Sequence, residues 1–257
     1  MAAVTVDVSG PVARITLHNP ARLNAMSRSM WQELKGSFAS LAAIPGLRCV
    51  VVAGQGNHFS AGGDISEYPA FRFNEASLRD FHETVVWGAL QAMLDCNLPI
   101  VACIDGNCIG AGLEIASCCD IRVSSSSARF GAPIARLGFP MAPREAALVM
   151  GAVGELCARE MLLAARLLDA STMAQRGFLN QVCSSVDLPA VVQSYVTGIC
   201  QLPAPTAALN KQTFRALAHI KYAQAATELI AGAYCYADSA EHREGVTAFI
   251  DKRHPNF

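Results

Sequence analysis

The sequence predicts an α/β fold, with a core over residues 1–186 and a helical region over residues 187–257. Three observations carry this expectation. Short apolar runs that read as buried strands alternate with turns and amphipathic helical stretches through roughly the first 185 residues. The remainder offers only helical patterns. The chain has 257 residues, 52% of them hydrophobic, enough to enclose one large core.

Residues 3–17 alternate apolar and polar around Ser9-Gly10-Pro11, which predicts a two-stranded hairpin. Ser27 is placed to cap a helix running to about Ala43, with Met30, Leu34, Phe38 and Leu41 on one face. CVVVAG, 49–54, reads as a buried strand. A long polar, glycine-containing stretch follows, 54–76, and loops of that length in compact domains usually carry function. Ser77 and Asp80 resemble a capping box opening a helix to about Leu94. PIVACI, 99–104, is a second buried strand, followed by a turn at Asp105-Gly106, a short helix from about Ala111 and a strand near 120–124. The tail predicts helices at 187–201, about 205–218, 221–238 and 240–251.

A formal net charge of -1 supplies no general attraction for nucleic acid or anionic lipid, so neither is an expected partner. No run of about 18 residues free of charge reads as membrane-spanning. The N-terminus, MAAVTVDVSGPVARITL, lacks the basic and apolar segments of a signal peptide. The ten cysteines contain no CxxC and lie mostly among apolar neighbours, which suits small buried hydrophobes in a reducing compartment and predicts a cytoplasmic protein. Cysteines and the six histidines are scattered, so no metal site is expected.

Two short stretches point to chemistry. HFSAGGDI, 58–65, and IGAGLEIA, 109–116, each place small residues and glycines after a strand-and-loop passage. Such bends let a ligand approach the main chain, and they also serve as plain packing devices. If the N–H groups of Ala61 and Ala111 converge on one oxygen, they form an oxyanion hole. Glu114 lies one helical turn beyond Ala111, on the same face. Leu113, Ile115 and Ala116 around it would raise its pKa toward a range useful for proton transfer. The alternative for a lone acid there is a structural ion pair.

HFSAGGDI, followed by GNCIGAGLEIASCCDIRVSS, resembles the enoyl-CoA hydratase/isomerase (crotonase) superfamily. NPARLNAM (19–26), ARFGAPIARLGFP (128–140), LLDASTMAQRGFLNQV (167–182) and EGVTAFIDKRHPNF (244–257) resemble further elements of that family in the same order. The resemblance implies a crotonase-like spiral of ββα units with a C-terminal helical region that packs homotrimers, often paired as hexamers. It implies an acyl-CoA thioester as partner and no bound cofactor, since the substrate itself carries coenzyme A. Ala61 and Ala111 match the oxyanion-hole positions, and Glu114 matches a catalytic glutamate. Arg22, Leu23, Ala61, Gly62, Asp64, Ile65 and Lys252 match CoA contacts, although Ala21 stands where the family usually has lysine. Tyr68, Phe71, Ile134 and Phe139 fall where the acyl group would lie. His58 is placed to meet a ligand phosphate or simply to occupy a surface loop. Asp120 matches a structural acid, and Trp87 and Met93 read as core.

The sequence departs from the family at one catalytic position. Hydratases carry a second glutamate immediately after the residue matching Pro133, and here that residue is Ile134. Arg144 and Glu145 also replace a customary pair of glycines. Three enzymatic readings follow. The first is isomerisation or hydration with Glu114 as the single acid/base. The second is decarboxylation of a malonyl-type CoA ester, a reaction that forms the enolate without a base, although family decarboxylases carry histidine where this chain has Gly63. In the third, Glu145 replaces the lost acid, the alternative being a solvated first helical turn at Arg144-Glu145. A non-catalytic, acyl-CoA-binding member is the rival from another class.

Overall fold

The computed structural model describes residues 2–41 and 43–256, with side chains described throughout except at 217–229. The elements in chain order are β1 (Ala3–Ser9), β2 (Val12–His18), α1 (Arg28–Leu41), β3 (Cys49–Gly54), α2 (Glu75–Asp80), α3 (Trp87–Asp95), β4 (Ile100–Ile104), β5 (Asn107–Ile109), α4 (Ala111–Ser117), β6 (Ile121–Ser125), β7 (Arg129–Gly131), α5 (Pro143–Val153), α6 (Glu155–Leu163), β8 (Leu168–Asp169), α7 (Ala170–Gln175), β9 (Gln181–Cys183), α8 (Leu188–Gln201), α9 (Ala204–Leu229) and α10 (Ala240–Ile250).

The main sheet runs β1-β2-β3-β4-β6-β9. Its first pair is the expected hairpin, with Ser9 opposite Val12. Every later pair is parallel, so each new strand joins the same advancing edge. A second, small sheet runs β5-β7-β8. The chain therefore repeats a unit of long strand, short extended segment and helix: β4, β5 and α4 form one turn of the spiral. β3, the Ser60 bridge to Cys108 and the helices after it form another.

Alternation along the strands divides the core between two faces. Val50 and Val52 of β3 face α1 and α3, where Met30, Leu34, Phe38 and Met93 are buried. Cys49 and Val51 face the other way, with Val101 and Val123, against Leu188, Val192 and Val196 of α8. Burial of each such side chain contributes roughly 1.5–3 kcal/mol. The first tail helix thus covers the second face of the parallel sheet, as such sheets require. Elsewhere, α9 packs on α5, and α10 packs on the 3-10 turns Ile65–Ala70 and Pro133–Leu137.

Several expected boundaries move. Ser27 does cap α1, its Oγ accepting from Met30 N–H at 3.2 Å, but the helix ends at Leu41 rather than Ala43. The helix expected from Ser77 begins at Glu75, because the Asn74 side chain accepts from Ser77 N–H and is the better-placed cap. It contains a π-helical turn, Phe81–Val86, before continuing as α3. The two helices expected at 205–218 and 221–238 are one helix, α9, ending at Leu229 and followed by a 3-10 turn, Ile230–Gly232.

Candidate active site

The two small-residue bends lie side by side because a strand-like bridge joins them. Ser60 N–H donates to Asn107 O at 2.8 Å, and Ile109 N–H donates back to Ser60 O at 2.9 Å. Contact this close demands missing side chains. Gly110 has φ +49°, and a Cβ added to Gly112 would lie 2.8 Å from Ser60 O. The early loop grips the first bend from its other side. Met26 N–H donates to Gly62 O at 2.7 Å and Asp64 N–H donates to Met26 O at 2.8 Å.

That grip corrects one expectation. Ala61 N–H donates to Leu23 O at 3.0 Å, so it is committed to the loop and is not free for a ligand oxygen. In a parallel bridge, the residue between the two bonded groups turns its own N–H away from the partner strand. That residue is Gly63. Its N–H and that of Ala111, the first residue of α4, have no acceptor among the described residues. The available pair is Gly63 and Ala111.

Glu114 sits in the first turn of α4 and is 7% exposed. Its carboxyl group has no hydrogen-bond partner among the described residues, which removes the ion-pair alternative there. Burial raises its pKa well above the usual carboxylate range; the charge of Glu145 raises it further, and Arg72 opposes both.

Glu145 is not in a solvated turn. It lies in the first turn of α5, which packs against α4, and it is 3% exposed. Burial raises its pKa, against the lowering effect of Arg72. Glu145 Oε1 is 2.7 Å from His82 Nδ1, and His82 Nε2 is 3.0 Å from an Arg72 terminal nitrogen. Guanidinium nitrogens only donate, so His82 Nε2 accepts and Nδ1–H donates to Glu145. Burial and Arg72 together push the His82 pKa down, keeping the ring neutral. His82 lies in the π-helical turn, Phe81–Val86.

Arg72 is 1% exposed and is held without a carboxylate partner among the described residues. Its Nε donates to His242 Nε2 at 3.4 Å and one Nη donates to the Tyr236 hydroxyl at 3.4 Å. The guanidinium carbon lies 3.9 Å from the Phe139 ring centre and 4.6 Å from that of Tyr68. Aromatic faces thus take the place of a counter-ion. The Tyr68 hydroxyl in turn abuts Gly63, where any Cβ would collide with it. Burial pushes the Tyr68 pKa up to about 12, with Arg72 opposing and both glutamates adding to the rise. A continuous path of contacts therefore runs Gly63, Tyr68, Arg72, His82, Glu145.

The remaining expected residues divide. Tyr68, Phe71 and Phe139 form one aromatic group, with centroid separations of 5.9 Å and 6.1 Å from Tyr68. Ile134 is half-buried against the same core. Arg22 and Asp64 meet each other at 2.9 Å, and Asp64 also caps the following 3-10 turn through Ser66. Leu23, Gly62 and Ile65 flank them on the two tied loops. Lys252 is exposed beyond α10. His58 Nδ1 accepts from Asn107 N–H at 3.1 Å and is a loop brace. Asp120 accepts from Ile100 N–H and Lys211, a structural role, while Met93 is core and Trp87 lies half-buried beside Arg144. Among the described residues no cluster of histidine, cysteine or acid could hold a metal, and no helix is long and apolar enough to cross a membrane.

Sequence reasoning missed Arg72, the part played by His82, and Gly63 as a donor. The available signals were a single arginine between aromatics in AFRFN and a third small residue in SAGGD.

The family profile described as enoyl-CoA hydratase/isomerase matches residues 7–257. A probable enoyl-CoA hydratase, echA8, of Mycobacterium bovis is 28% identical over 257 residues, covering 99% of this chain and 97% of that protein. The 2,3-dehydroadipyl-CoA hydratase of Escherichia coli is 28% identical, covering 100% and 99%. The crystal structure of an enoyl-CoA hydratase/carnitine racemase from Magnetospirillum magneticum superposes with a TM-score of 0.82 at 31% identity, covering 100% of this chain and 96% of that one.

Proposed function

The chain belongs to the enoyl-CoA hydratase/isomerase family, and from that premise we propose that it is an enzyme that forms and quenches the enolate of an acyl-CoA thioester. The thioester oxygen sits between the N–H groups of Gly63 and Ala111. As a proton moves at Cα, or as a β-nucleophile adds, negative charge grows on that oxygen. Two fixed donors stabilise it, each by about 3 kcal/mol. Glu114 moves the proton, and burial together with the charge of Glu145 favours its protonated form. The observation that carries this reading is the coincidence, at adjoining bends, of two amides and one buried acid that have no partner among the described residues.

CoA is held along the loops containing Arg22, Leu23, Gly62, Asp64 and Ile65, with Lys252 as a basic contact, and the acyl group lies toward Tyr68, Phe71, Phe139 and Ile134. The native reaction is hydration or isomerisation of an enoyl-CoA. Decarboxylation has less support, since the Tyr68 hydroxyl fills the space that a histidine side chain at 63 would need. We also propose a homotrimer, single or paired, built through the helical region. Incubation with 2-enoyl- and 3-enoyl-CoA thioesters of graded length, read by mass spectrometry, tests the activity. Addition of water or migration of the double bond is expected; CoA binding with every thioester left unchanged would reject it.

A further inference from the structure

The acid that the family places after Pro133 is absent here, yet a second carboxyl group is buried beside Glu114. We infer that Glu145, supplied by α5 rather than by the 133–137 turn, is the second acid/base of the site, and that His82, anchored by Arg72, is its positioning residue. The inference rests on the enolate reading above and deepens it.

Four features support the assignment. Glu145 is 3% exposed, and α5 packs against α4, so its first turn and that of Glu114 belong to one interior. Only one oxygen of Glu145 is engaged, by His82 at 2.7 Å. The other has no partner among the described residues, nor does either oxygen of Glu114. Arg215 Nε is the one fully enclosed side-chain polar atom without a partner among those residues. The free oxygens of both glutamates therefore reach accessible space. Finally, Glu145 makes no direct pair with an arginine or lysine among the described residues. Arg72 is separated from Glu145 by a neutral imidazole whose tautomer it fixes.

Hydration of a 2-enoyl-CoA uses both groups. Ionised Glu145 takes a proton from water as the water oxygen bonds to Cβ. The Cα–Cβ π pair moves toward C1, placing charge on the thioester oxygen between the Gly63 and Ala111 amides. Protonated Glu114 then delivers its proton to Cα. Water is thereby added, Glu145 ends protonated and Glu114 ionised, and one proton passing between them resets the site. Burial, opposed by Arg72 and aided by Glu83, raises the Glu145 pKa to about 8, so Glu145 is ionised above that pH, and its charge then helps keep the proton on Glu114.

The test compares wild type, Glu145→Gln, His82→Asn and His82→Leu in hydration of a panel of 2-enoyl-CoA thioesters, with Cα exchange of the wild type read on a saturated acyl-CoA in D2O and thermal melts confirming that each variant folds. Glu145→Gln is expected to lower the hydration kcat by about 10²-fold or more. The Asn amide can replace the Nδ1–H donor, whereas Leu cannot. His82→Leu should therefore move the rising limb of the pH–rate profile to higher pH, because an ionised Glu145 loses a stabilising donor, and His82→Asn should restore it toward the wild-type position. Unchanged kcat in Glu145→Gln, an unmoved limb in His82→Leu, or a wild type that hydrates no member of the panel while exchanging Cα hydrogen would overturn the inference. Absence of Cα exchange in the wild type would instead overturn the enolate reading beneath it.

Discussion

The Tyr68 hydroxyl stands where a side chain on residue 63 would begin, so Gly63 and Tyr68 divide one small space at the edge of the site. The relationship explains why this bend carries glycine even though its φ is not in the left-handed region. It also yields a paired prediction. Gly63→Ala drives a methyl into the hydroxyl, displacing either Tyr68 or the Gly63 amide, and should reduce turnover by about tenfold or more. Adding Tyr68→Phe removes the colliding oxygen and should recover part of the loss. A double variant no more active than Gly63→Ala alone would show that the collision is not the cause.

Glu114→Gln keeps the shape of the side chain and removes its proton chemistry. Turnover on the best thioester should fall by about 10²-fold or more, with little change in melting temperature, since the carboxyl has no hydrogen-bond partner among the described residues. Steady-state kinetics decides it; wild-type kcat in the variant takes this residue out of the mechanism.

The two amides can be separated by proline. Ala111 is the first residue of α4, where proline fits a helix and only its N–H is lost. Ala111→Pro should cost about 10²-fold in kcat while CoA affinity, measured by calorimetry, stays within a few-fold. Ala61→Pro instead breaks the hydrogen bond to Leu23, so its first effect should be on melting temperature. Equal kinetic damage without destabilisation at Ala61 would return that residue to the hole.

Acid should loosen the Arg72 surroundings. His242 is fully buried, its Nδ1–H donates to Ala237 O at 2.9 Å, and its Nε2 accepts from Arg72. Burial and the nearby arginines lower its pKa from 6.5 to about 4. A group whose folded pKa is depressed contributes stability above its unfolded pKa. That contribution is lost as pH falls through the folded value, here between 6.5 and 4. His82 shifts in the same direction. Melting temperature should therefore drop across this window, and His242→Gln, which has no proton to gain, should flatten the drop. An identical slope in the variant would contradict the assignment.

Parts of this arrangement were legible in the sequence for simple reasons. β3 and β4 announce themselves as short apolar runs buried on both faces, and α4 as the first turn after two glycines. Glu114 stands out as an acid amid Leu113, Ile115 and Ala116; the residues alone leave a structural ion pair open, and the family resemblance is what points to proton transfer. The sequence points to Ala61 and not to Gly63 for the free amide of the first bend, because that choice depends on the bridge to Leu23–Met26, a pairing of distant segments that no local pattern encodes. Glu145 was harder still. Its helix begins PRE, a polar start typical of exposed turns, and its buried partner, His82, is 63 residues away. The sequence predicts two helices with a break near 219–220, where the structure has the single α9; no glycine or proline interrupts it there, and it packs against α5.

Assembly is testable without substrate. Phe214 and Leu209 on α9 are 68% and 62% exposed in the single chain, which suits burial against another copy. Light scattering should give a mass of three or six chains, and Phe214→Glu should lower it. A monomer at micromolar concentration would reject the trimer.

The most direct measurement of the central claim is hydrogen exchange at Cα. A saturated acyl-CoA incubated with the protein in D2O, and followed by mass spectrometry, can gain deuterium at that carbon only if the proton is removed and returned there. The account predicts uptake that depends on enzyme concentration and falls sharply in Glu114→Gln. CoA thioesters that bind and yet, across a range of acyl lengths, never exchange would contradict it.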